Sequence, residues 1–76
     1  MRRFEDRTGA RWDVVVGRES WGALLALFVP AGPPAARNVR QALLNASSYD
    51  GAERELSGLN DDALHLLFDR SNPKES

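Results

Sequence analysis

The stretch Phe4-Glu5-Asp6-Arg7-Thr8-Gly9-Ala10-Arg11-Trp12 constrains the fold more tightly than any other part of the chain. Aspartate opens turns readily, and a glycine three residues later supplies the left-handed backbone that closes one. With the loop centred on Thr8, Phe4 faces Trp12, Glu5 faces Arg11 and Arg3 faces Asp13. One face of the resulting hairpin carries an aromatic pair. The other carries two opposite-charge pairs, each worth ~0.2–1 kcal/mol.

The second strand continues through Val14-Val15-Val16, a β-branched run that favours extended backbone. Trp12, Val14 and Val16 share the Phe4 face, and Val15 lies among the charges. Gly17-Arg18-Glu19-Ser20 reads as the next turn. The apolar run Trp21–Val29 admits two readings. Trp21, Leu24, Leu25 and Phe28 have helical spacing, with Ser20 as a cap. Nine apolar residues ended by Pro30 also fit a strand buried on both faces. Gly22 weakens the helix and a lone hairpin needs a further strand, so the strand is preferred. The prolines of Pro30-Ala31-Gly32-Pro33-Pro34-Ala35 make a loop. Val39–Leu44 then reads as a fourth strand or a short helix, with strand favoured.

The C-terminal part is helical and better punctuated. Ser47 and Asp50 have capping-box spacing, or Ser48 caps directly, and Tyr49, Ala52, Leu56 and Leu59 line one face. Gly58 is expected to close that helix in the left-handed conformation. Asn60 caps a second helix with Asp61 and Asp62 in its first turn, where the dipole favours acids. Ala63, Leu64, Leu67 and Phe68 form its stripe, Arg70 sits at its negative end and Asn72-Pro73 stops it.

These elements predict an α+β fold: a three- or four-stranded antiparallel meander followed by two short C-terminal helices packed on one face. Residues 1–72 form one small domain and 73–76 a frayed tail. The expected core is Phe4, Trp12, Val14, Val16, Leu56, Leu64, Leu67 and Phe68. A chain of 76 residues and 8.4 kDa has room for no second domain.

The motif Phe4-Glu5-Asp6-x-x-Gly9-x-x-Trp12, the apolar third segment, Val39-Arg40-Gln41 and the Leu-rich, acid-capped tail together resemble small uncharacterised bacterial proteins of high-GC genomes. Those are built as an antiparallel β-meander followed by one or two short helices. The resemblance runs over most of the chain and implies no activity, cofactor or ligand. Nine arginines against one lysine, with ten alanines, also fit GC-rich codon usage.

Composition closes off several chemistries. With no cysteine, disulfides, thiolate metal sites and cysteine nucleophiles are excluded. The apolar stretch Trp21–Val29 is too short for a membrane span, which needs ~20 residues. It lies behind four acids, unlike the apolar core of a signal peptide, so the expected location is the cytoplasm. Docking on a membrane complex stays open. The single histidine, His65, has Asp61 and Asp69 one turn away on either side. Three ligands on one straight helix converge poorly on a metal, so a solvated helix face is expected and no cofactor or metal site is assigned. No Gly-x-Ser-x-Gly elbow and no phosphate-binding glycine loop is present. The inventory points away from an enzyme.

Two surfaces remain. Arg2, Arg3, Arg7, Arg11 and Arg18 with Phe4, Trp12 and Trp21 suggest a nucleic-acid surface, the alternative reading. The formal charge of −1 and the carboxylate partners of Arg3 and Arg11 weigh against it. Residues 1–40 carry seven arginines and four acids, whereas 41–76 carry three bases and seven acids, so the halves are expected to attract. The second surface has more physical content. In a Trp21–Val29 strand, Leu24, Ala26 and Phe28 point one way and Leu25, Leu27 and Val29 the other. Two short helices cover one face of a small sheet, so the second apolar set faces water. The candidate partner-binding residues are therefore Val15, Trp21, Leu25, Leu27 and Val29. The function expected is a non-catalytic interaction module, either an accessory or regulatory subunit of a larger assembly or a homodimer.

Overall fold

The hairpin forms in the register that its turn and its cross-strand pairs demand. A computed structural model describes residues 2–19, 22–31 and 39–73. Strand β1 (Arg2–Glu5) pairs antiparallel with β2 (Arg11–Arg18), with Phe4 opposite Trp12, Glu5 opposite Arg11 and Arg3 opposite Asp13. The Asp6 carboxylate organises the loop. Its Oδ1 accepts from the Thr8 and Ala10 amides and the Thr8 hydroxyl, and its Oδ2 accepts from the Trp12 indole at 2.9 Å. Gly9 takes φ +85°. Burial pushes the Asp6 carboxyl up, but the hydrogen bonds from Thr8, Trp12 and Ala10 outweigh it and bring its pKa down to about 2.

The next connection lies later than the sequence suggests. Strand β2 runs through Gly17 to Arg18, and beyond it the Glu19 amide donates to the Ala23 carbonyl at 2.8 Å. The Gly22 amide donates to the Glu19 carbonyl at 2.9 Å, and Gly22, at φ +97°, supplies the left-handed residue. Strand β3 (Leu24–Pro30) lies between β2 and β4 (Arg40–Leu43), so the equivocal segments are strand over those residues; Pro30, expected in the loop, ends β3, and residues 32–35 of that loop lie outside the described residues. Helix α1 (Tyr49–Gly58) is capped by the Ser48 hydroxyl, which accepts from the Gly51 amide at 3.1 Å. Helix α2 (Asp61–Asp69) is capped by Asn60, whose side chain accepts from Ala63 at 2.8 Å.

Two details depart from expectation. Gly58 stays within α1 and does not form a left-handed cap. Arg2 supplies that termination from 54 residues away: its guanidinium donates to the Leu56 carbonyl at 2.9 Å and also to that of Leu59. The second concerns the tail. Asn72–Pro73 forms a fifth strand, β5, against Gln41 and Arg40, giving a sheet ordered β1-β2-β3-β4-β5. Arg40 draws it there, donating to the Ser71 hydroxyl at 2.8 Å and the Ser71 carbonyl at 2.6 Å. Proline is tolerated at an edge because the outer amide there needs no partner.

Both helices pack on one face. Phe4, Trp12, Val14, Val16, Ala26 and Phe28 meet Ala52, Leu56, Leu64 and Leu67 in one buried cluster, which contains every expected core residue except Phe68. Phe68 is half-buried against it, its ring centroid 5.1 Å from those of Phe4, Trp12 and Phe28. The Arg40 guanidinium lies 5.3 Å over the same ring.

Phe68→Ala is expected to cost about 3 kcal/mol, read from the urea midpoint, because it leaves a void where three strands and a helix meet. The Asp6 carboxylate sits below the ordinary 3.8, so its contribution is complete above that value and is lost as pH falls through about 2. Asp6→Asn should therefore destabilise the chain by about 1–2 kcal/mol at neutral pH, with the difference narrowing towards pH 2.

Candidate functional site

A strand exposes its residues alternately, so the five-stranded sheet has a second face made by the positions between the core residues. Following the register, Val15 lies opposite Leu27, Leu27 opposite Gln41, Gly17 opposite Leu25, Leu25 opposite Leu43 and Asp13 opposite Val29. Arg3, Glu5, Arg11 and Asp13 border this apolar centre on the β1–β2 side, and Gln41 and Asn72 border it on the β4–β5 side. Among the described residues, no helix or strand lies over it.

Of the residues expected to bind a partner, the sheet brings Val15, Leu25, Leu27 and Val29 onto this one face. Val15, Leu27 and Val29 are half-buried. Leu25 is 3% exposed, so its side chain is not presented at the surface, contrary to the expectation that the whole set faces water. Trp21 lies outside the described residues. Leu43, which sequence reasoning left out, is 55% exposed beside Leu25. The signal for it was available: once 40–43 is a strand, Ala42 faces the core and Leu43 must point away.

Leu27 shapes the centre of the face. A Cβ on Gly17 would lie 2.5 Å from Leu27 Cδ1, so Leu27 leans across the bare glycine backbone. Gly17 thus serves a close approach rather than the turn first assigned to it. Beside it, Leu25, Gln41, Leu43, Asn45 and Arg70 line an open depression of about 410 Å³. Two buried acceptor atoms here lack hydrogen bonds, Asp13 Oδ1 and Gln41 Oε1. They flank β3 on either side.

The charged residues are largely engaged within the fold. Arg7 meets Asp69 at 2.5 Å, Arg2 lies 3.7 Å from Asp61, and Arg3 lies 3.8 Å from Asp13. Hydrogen bonding and the charge of Asp69 push the Arg7 guanidinium further up. The basic first half and the acidic second half therefore meet each other, as the uneven charge suggests. His65 is a strap between α2 and β1. Its Nδ1 lies 2.9 Å from the Asp61 carbonyl, its Nε2 lies 3.1 Å from the Glu5 carbonyl, and its ring packs edge-on against Phe4 at 4.8 Å. Among the described residues, no three His, Asp or Glu side chains are grouped to hold a metal ion. No helix of the described residues is long and apolar enough to cross a membrane. No family model, no curated protein and no solved structure matches the chain.

Proposed function

We propose that this chain is a non-catalytic protein-interaction module that docks through the open face of its sheet, as a small accessory or regulatory subunit or as a homodimer. One observation carries the reading. Val15, Leu27, Val29 and Leu43 lie on the face away from both helices, with Leu43 more than half exposed. Monomeric proteins rarely expose contiguous apolar patches larger than a few hundred Å², and the larger ones mark binding surfaces.

The nucleic-acid alternative has less support. Phe4 and Trp12 are 6% and 4% exposed, so their rings are occupied by the core and offer no stacking platform. Arg2 and Arg7 are held by the C-terminal helices.

The reading is tested by a photo-crosslinking residue placed at Leu43 or, as a control, at Leu66, an equally apolar residue 65% exposed on α2. Irradiation in the source cells should give a discrete crosslinked species from position 43 and none from position 66. No product from either position, or product from position 66 alone, overturns it.

A further inference from the structure

We propose that the second half of β2 is a strand-addition site, which takes an extended segment of a partner protein with an acidic residue two positions before an apolar one. The site lies on the edge of the sheet, so it goes beyond the docking reading and does not depend on it.

The register opens this edge. Strand β1 pairs with Arg11–Val14, whereas β2 runs on to Arg18. Among the described residues, no strand pairs with Val16–Arg18 on that side. The N–H and C=O of a strand residue point to one side, and successive residues alternate. The Ala31 amide donates to Arg11 and the Glu19 amide to Ala23, so the odd-numbered positions of β2 bond to β3. The Asp6 amide donates to Ala10, so the even-numbered positions face β1. The amides and carbonyls of Val16 and Arg18 therefore point along the continuing line of β1, where they meet no strand.

Elsewhere the edges are tended. The Glu5 carbonyl on β1 lies 3.1 Å from His65 Nε2. Beside β4, β5 pairs with Arg40 and Gln41, and the Arg70 guanidinium donates to the Leu43 carbonyl at 3.1 Å. Four donors and acceptors held at strand spacing are matched by an extended backbone, the chemistry of β-augmentation.

Side chains set the preference. In an antiparallel segment on the line of β1, the residue opposite Val16 shares a face with Arg2, whose guanidinium reaches α1. There Val14, Leu56 and the half-exposed Tyr49 ring border a cavity of about 190 Å³, which suits an apolar side chain. Two positions earlier the segment lies opposite Arg18, which is exposed and has no carboxylate partner among the described residues. An acid there repeats the cross-strand pairing of Glu5 with Arg11.

Amide hydrogen exchange followed by NMR on the purified chain is the test, with the capped peptide acetyl-Thr-Glu-Thr-Leu-amide as the probe. In the free chain the Val16 and Arg18 amides should exchange at least roughly 100-fold faster than those of Val15 and Gly17. Millimolar peptide should slow the exchange of Val16 and Arg18. Methylating the backbone nitrogens of its Glu and Leu, which face β2, should abolish the effect. Methylating that of the Thr between them, which faces away, should preserve it. Arg18→Glu should weaken binding by roughly 5-fold or more. Leu43→Glu, on the outer face, should leave it unchanged, and circular dichroism checks that both variants are folded. Val16 and Arg18 amides already as protected as that of Val15 overturn the proposal. So do amides that millimolar peptide does not slow, or binding that survives methylation at Glu and Leu or is lost on Leu43→Glu. None of these outcomes bears on the crosslink from position 43, so this proposal and the docking reading fail separately.

Discussion

The phenyl ring of Phe68 is the contact on which the rest of the structure depends. Its centroid lies 5.1 Å from the rings of Phe4, Trp12 and Phe28, so one side chain of α2 touches the first three strands. Arg40 of the fourth covers the ring at 5.3 Å. Tilted and edge-on aromatic pairs contribute ~0.5–1.5 kcal/mol each beyond their buried area. For a domain of this size, where folding stabilises by only a few kcal/mol, such a cluster decides whether a single native state exists.

Arginines complete what the aromatic cluster begins. Arg2 terminates α1 from the first strand, Arg7 ties the hairpin loop to the end of α2, and Arg40 anchors Ser71 so that β5 can pair. Arg70 donates to the Leu43 carbonyl at 3.1 Å and holds the other end of β4. A guanidinium presents several donors in a fixed plane, which suits it to gathering the orphan carbonyls at helix ends. Exposed ion pairs alone contribute little. The weight here falls on the hydrogen bonds to backbone carbonyls that are half-buried.

Most of this fold is legible in the residue pattern, because its determinants are local. The Asp6–Gly9 turn fixes the hairpin register, Ser48 and Asn60 mark the helix starts, and alternation assigns the core face of β2 and β3. What escapes is set by distant partners. Gly58 reads as a cap until Arg2 is found at the α1 carbonyls, and Pro73 reads as a tail until Arg40 is found at Ser71. Gly17 and Gly22 are both plausible turn residues in sequence, and only pairing across to β3 decides between them. The outer apolar face is legible as a pattern at Val15, Leu27 and Val29. The burial of Leu25 and the exposure of Leu43 are not, since both depend on which neighbours the sheet supplies.

Two faces of one sheet thus have separate work. The inner face, with Val14, Ala26 and Phe28 fully buried, holds the fold together, and the outer face carries the apolar residues on which the proposed docking rests. Solution NMR with a soluble paramagnetic probe tests this division most directly, by reading the line-broadening of each methyl group as the chain is diluted. In dilute solution the methyls of Leu43 and Val29 should broaden strongly while those of Val14 and Leu64 are spared. Outer methyls that stay protected at every dilution would show that the chain covers this face itself, and would contradict the account.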